Sequence, residues 1–153
     1  MAQLAPLVEQ DVTLETLPDE KLKEAYRYWL AAKGARELPP HTAIVPENLP
    51  RAMLANLSII NVEEKGQFRY RLIGTLVIRA WGEDLTGRLA TDVKDGEEMA
   101  KRMANCVKAR KPYYAQGPLK FAVYDFRSYR VLVMPFADAQ NAVSRLLVYN
   151  EFC

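Results

Sequence analysis

Apolar residues recur at helical spacing in two places along the chain and gather in short extended blocks in five others. Leu22, Ala25, Tyr26 and Trp29 share one face of a helix. Thr16 and Asp19 form a weak capping box for its start, Pro18 is tolerated in a first turn, and Gly34 is suited to end it. Met99, Met103, Cys106 and Val107 mark a second helix, opened by Asp95 and Glu98 and stopped by Pro112. The extended blocks are Leu57 to Val62, Phe68 to Ile73, Tyr113 to Phe121, Tyr129 to Phe136 and Val143 to Phe152. Glu63-Glu64-Lys65-Gly66 predicts a hairpin turn between the first two, and Ala137 to Asn141 one between the last two.

Between the first helix and the first strand stand Pro39, Pro40, Pro46 and Pro50, which favour a wrapped loop over regular structure. Leu76 to Trp81 reads as one or two helical turns after the strand-breaking Gly74. Strands at both ends with helices between them predict an α+β fold, a five-stranded antiparallel sheet with helices on one face. Val131-Leu132-Val133-Met134 is apolar on both sides, so the N-terminal helix is expected to cover the other face. Residues 1–16 read as an arm and residues 17–153 as one domain, a size that builds its own core.

Charge and composition narrow the function classes. A formal net charge of +2 gives no bulk argument for nucleic acid. The basic residues Lys101, Arg102, Lys108, Arg110 and Lys111 read as a solvated helix face. No apolar run is long enough to span a bilayer, and Met1 to Gln10 lacks a signal-peptide pattern, so a cytoplasmic location without membrane contact is expected. Cys106 and Cys153 are expected to be free thiols. His41 is the single histidine, no serine has a nucleophile context, and no zinc spacing occurs. No catalytic or metal-binding residue is expected, and the chain reads as a non-enzyme.

Several motifs carry a resemblance. These are Tyr28-Trp29, the segment from Leu38-Pro39 to Leu49-Pro50, the Phe68 to Thr75 run FRYRLIGT, and Asp84 to Arg88, DLTGR. Their order is similar to that of small, mostly bacterial single-domain PAS proteins, over roughly residues 17 to 152. The resemblance implies a PAS-like fold and a sensory or regulatory role. It implies a ligand between the 99–107 helix and the sheet, with Tyr70, Arg71, Trp81, Met99, Met103 and Cys106 as pocket candidates. Arg71, within the matched motif, is expected either to clamp the DLTGR turn through Asp84 or to anchor an anionic ligand, with the clamp favoured. Asn105-Cys106 resembles the flavin-reactive pair of light-sensing PAS domains. It lies well downstream of Arg88 and lacks the residues that follow the pair there, so no flavin is expected, and the lack of a pocket histidine argues equally against haem.

Two functions remain open. One is a sensor of an unknown small molecule, expected to signal in trans to a separate protein because the sequence reads as one domain without a kinase, cyclase or DNA-binding unit. The other is a ligand-free interaction module. Leu22, Tyr26, Trp29 and Leu30 are the expected homodimer interface, because that apolar face is wider than a lone helix needs.

Overall fold

The computed structural model describes residues 4–94, 96–119 and 126–153. In chain order the elements are β1 (Leu7–Glu9), α1 (Glu20–Lys33), β2 (Leu57–Glu63), β3 (Gln67–Ile73), α2 (Thr75–Trp81), α3 (Gly96–Ala109), β4 (Tyr113–Pro118), β5 (Ser128–Ala137) and β6 (Val143–Phe152). The strands form one antiparallel sheet in the order β1-β4-β5-β6-β2-β3. That is six strands rather than the five expected. The sixth comes from the arm, where Leu7, Val8 and Glu9 pair with Gln116, Ala115 and Tyr114 along the edge of β4.

Turn chemistry sets both hairpins. Between β2 and β3, Lys65 and Gly66 both take positive φ. Between β5 and β6, the Asp138 carboxylate accepts from the backbone N–H groups of Gln140 and Ala142, and Asn141 sits at φ 62°. The turn from β3 into α2 needs Gly74, where a Cβ would collide with the carbonyl oxygens of Leu54 and Ala55. At the other end of α2, Gly82 takes φ 82° and donates to the Ile78 carbonyl, a left-handed helix cap.

Helix α1 starts later than the capping box predicts. Asp19 is the N-cap, its carboxylate accepting from Leu22 N–H at 2.9 Å. Thr16 instead closes a small turn with Thr13. Both residue types cap helices, and the one beside the apolar face prevails. The proposed cap at Asp95 lies outside the described residues; α3 begins at Gly96.

Alternation along the strands separates two faces. Ser58 and Ile60 of β2, Val131 and Val133 of β5, and Val148 and Asn150 of β6 face α3. The residues between them, including Arg130, Leu132, Met134, Leu147 and Tyr149, lie on the opposite face. Helix α1 covers that face, as the two-sided apolar pattern of β5 implies. Its Leu22, Ala25 and Trp29 are buried, and the Trp29 indole donates to the Pro135 carbonyl at 2.8 Å. The proline-rich segment completes this side, with Leu38, Ile44, Leu49 and Met53 in the core. It is tied to β5 by an Ala137 N–H to Pro39 carbonyl bond of 2.9 Å.

Candidate functional site: a cavity between α3 and the sheet

A cavity of about 130 Å³ lies between α3 and the inner face of the sheet. Met99, Arg102 and Met103, spaced i, i+3 and i+4, form its helical wall. Ile60, Val131, Val133 and Val148 form the opposing apolar wall, and Tyr70 and Trp81 close one side. These two rings meet edge to face, with centroids 5.3 Å apart, and the Tyr70 hydroxyl donates to the Met99 sulfur at 3.3 Å. Burial pushes the Tyr70 phenol far above its ordinary pKa, so it remains a neutral donor.

Polar groups stand at two places on this lining. Asn150 and Ser58 are buried and already satisfied. The Asn150 amide donates to the Asn56 carbonyl at 3.0 Å and to the Ser58 hydroxyl at 3.4 Å. Arg102 and the tyrosines around it form the second group. Arg102 donates to the Tyr129 hydroxyl through Nη1 and to Glu98 through Nη2, each at 2.9 Å. Burial opposes the Arg102 charge, but the Tyr129 hydroxyl and Glu98 outweigh it and hold the guanidinium ionised. Tyr113 is 1 % exposed, lines the same cavity, and makes no hydrogen bond among the described residues. Burial pushes its phenol pKa strongly upward, so it too is neutral.

The structure brings Tyr70, Trp81, Met99 and Met103 together around this cavity. Arg71 and Cys106, also expected there, do not line it. In β3 the register against β2 shifts after Tyr70, which pairs with Ile60 while Leu72 pairs with Ile59. Arg71 is the extra residue of that bulge, and both Arg71 and Leu72 are exposed. The expected Arg71–Asp84 clamp is absent as well. Arg69 does that work: its Nε donates to Glu63 at 2.9 Å and its Nη1 to the Gly87 carbonyl at 2.8 Å. Asp84 instead accepts from the Thr86 N–H and hydroxyl. Cys106 is fully buried, its thiol donating to the Lys111 carbonyl at 3.3 Å, and burial pushes its pKa up to about 12. It behaves as a small core residue.

Two further polar clusters lie outside the cavity. On the α1 side, Arg130 Nη1 stands 3.5 Å from Asp19 and 4.0 Å from Glu151. His41 Nδ1 lies 2.8 Å from the Ser144 hydroxyl, a contact the sequence spacing conceals. Among the described residues no group of three or more His, Cys, Asp or Glu is placed to hold a metal ion. None of their helices is long and apolar enough to cross a membrane.

Of the expected interface residues, Leu22 and Trp29 are buried within the chain, and Tyr26 and Leu30 are partly buried. Tyr26 stacks on Trp29 with centroids 6.0 Å apart, and its hydroxyl donates to the Val12 carbonyl. Leu22 and Trp29 are thus occupied by packing within the chain, while Tyr26 and Leu30 keep part of their surface.

An antiparallel sheet with a helix-walled cavity on one face defines a sensory-module fold of the PAS type. The chain belongs to the PAS domain family, whose family model matches residues 18–149. No curated protein matches the sequence. Among solved structures it is similar to an RNA-binding light-oxygen-voltage receptor, with a TM-score of 0.54 and 15 % identity over 99 % of this chain and 40 % of that one. It is also similar to the PAS domain of histidine kinase ThkA, with a TM-score of 0.46 and 18 % identity over 62 % of this chain and 98 % of that one. At these identities the likeness to the receptor concerns the fold alone.

Proposed function

We propose that this PAS domain is a sensor that takes a small molecule into the cavity between α3 and the sheet and passes its state to a separate partner protein. The observation that carries the reading is the cavity itself. Its walls are largely apolar, with polar groups at two places only, the Ser58–Asn150 pair and Arg102 with its neighbouring tyrosines, a makeup common in small-molecule sites. The flexible Met99 and Met103 side chains suit a wall that adapts to an occupant. The layering supports transmission. Val131 and Val133 of β5 line the cavity, while Leu132 between them and Arg130 before them face the α1 side, so one strand reports to both faces.

We read the site as holding neither flavin nor haem. Its volume of about 130 Å³ favours one small ring system over a fused cofactor. The Cys106 thiol is hydrogen-bonded to the Lys111 carbonyl and His41 to Ser144, and neither lines the cavity, which supports that reading. We therefore read the domain as cofactor-free and non-catalytic.

Backbone amide NMR of the full chain against a library of one-ring and two-ring compounds tests the reading. Binders are expected to shift residues of α3, β2 and β6 around the cavity, and Met103→Trp is expected to fill it and abolish the shifts. If no compound or xenon perturbs those residues, the ligand-free interaction module is the correct reading.

A further inference from the structure

Resting on that reading of the cavity, we propose that its ligand class is a single-ring aromatic monocarboxylate. The ring would lie between Met103 and Val148, with the carboxylate held by Arg102 and the Tyr113 hydroxyl.

Size sets the first limit. A cavity of about 150 Å³ holds benzene. The cavity here, about 130 Å³, is close to that size and limits the occupant to one ring, whose substituent would stand at the polar part of the lining. Shape and chemistry agree with a ring, since Tyr70, Trp81, Tyr113 and Tyr129 all contribute to the lining.

Tyr113 gives the second limit. Tyr113 is 1 % exposed and lines this apolar site, and its hydroxyl makes no hydrogen bond among the described residues, so it is a donor open to an acceptor in the cavity. It needs an acceptor. The Ser58–Asn150 pair on the lining shows no such need, because its groups already bond one another and Asn56. The polar end of the ligand is thus assigned to the Tyr113 side.

Charge gives the third. Lys94 and Arg102 stand on the lining with Glu98 as the acidic residue among them, a surplus of one positive charge. Arg102 and Tyr113 both line the cavity, and the guanidinium acts electrostatically on the phenol. The Glu98 partner of Arg102 has a side chain 66 % exposed, and such a pair is weak and screened. A carboxylate inside the cavity would meet Arg102 in a drier setting and accept from Tyr113 at the same time. A cation would face the surplus charge, and a dianion would exceed it.

The test uses the full chain at neutral pH with three probes of similar shape, namely benzoate, benzamide and toluene, followed by amide NMR titration. Benzoate is expected to bind about tenfold more tightly than either neutral probe, as a charge-assisted contact in a partly buried site implies. Arg102→Met is expected to erase that advantage while toluene binding persists. Tyr113→Phe is expected to weaken benzoate several-fold and leave toluene unchanged. Arg102→Lys, which keeps the charge but not the fork, is expected to retain part of the preference. Toluene binding as tightly as benzoate in the unmodified chain would overturn the assigned class and leave the cavity reading standing. Failure of all three probes and of xenon to perturb the cavity would overturn both.

Discussion

The carboxyl of Glu151, on the last strand, faces the carboxylate of Asp19, the N-cap of α1, and Arg130 stands beside both. Burial, reinforced by the hydrogen bond with Asp19, pushes Glu151 up to about 8, so it is largely protonated at neutral pH. Burial also acts to raise Asp19, but the hydrogen bonds from Glu151 and Leu22 N–H, with Arg130, outweigh it and hold Asp19 below its ordinary value. A protonated and an ionised carboxyl thereby stand side by side at the seam between α1 and the sheet.

This arrangement fixes the sign of a pH effect. Between about pH 4.5 and 8 the folded chain keeps a proton on Glu151 that the unfolded chain has released. Stability therefore falls as pH rises through that window. The lowered Asp19 acts in the opposite sense below its ordinary value of 3.8, where acid removes its contribution. Solvent screens the partly exposed Glu151, so the loss from pH 5 to 8.5 is about 1–2 kcal/mol rather than the full conversion of its shift. Urea midpoints across this range measure it, and Glu151→Gln is expected to flatten the slope.

Trp29 is the principal anchor of α1. It is 4 % exposed and its indole bonds the Pro135 carbonyl. Trp29→Ala is expected to cost about 3–5 kcal/mol, and Trp29→Phe, which keeps most of the packing but leaves that carbonyl without its donor, about 1–3 kcal/mol. Chemical denaturation of the two variants should rank them in that order; equal midpoints would mean the hydrogen bond contributes as much as the whole ring.

The two cysteines should differ sharply in reactivity. Cys106 is buried with a thiol pushed up to about 12, whereas Cys153 is exposed. Under native conditions a thiol reagent at pH 8 is expected to label one site per chain quickly, and the second only on unfolding. Rapid labelling of both would show that α3 opens from the sheet.

Arg69 and Arg71 should also separate. Arg69→Ala removes both the Glu63 pair and the Gly87 carbonyl contact, and its urea midpoint is expected to drop. Arg71→Ala alters an exposed bulge residue and is expected to leave the midpoint unchanged. The reverse order would place the support of the Asp84 to Arg88 turn on the wrong arginine.

Much of this architecture is legible in the sequence because it follows from period. The spacing of Met99 and Met103 puts them on the helix face that walls the cavity, and the blocks at Leu57, Phe68, Tyr129 and Val143 become strands close to their expected bounds. What escapes is whatever depends on a local irregularity or a distant partner. A strict two-residue alternation places Arg69 and Arg71 alike, and the bulge after Tyr70 separates them. The Arg102–Tyr129 contact joins residues 27 apart, and Asp19, Arg130 and Glu151 meet only once the sheet has formed. Strand β1 has three residues and no alternation strong enough to announce it. Tyr113 directly follows a helix-ending proline, and nothing in that position signals that its hydroxyl will be left without a partner.

That short first strand has a consequence for how the protein is handled. Without it, the outer rim of β4 from Tyr114 to Gln116 would present a row of unpaired amides and carbonyls, a template on which another chain can assemble. With only three residues, β1 is itself a poor template, so it works as a selvedge on the sheet. Trimming the first ten residues to obtain a tidier domain would strip that border and convert a self-contained sheet into a sticky one.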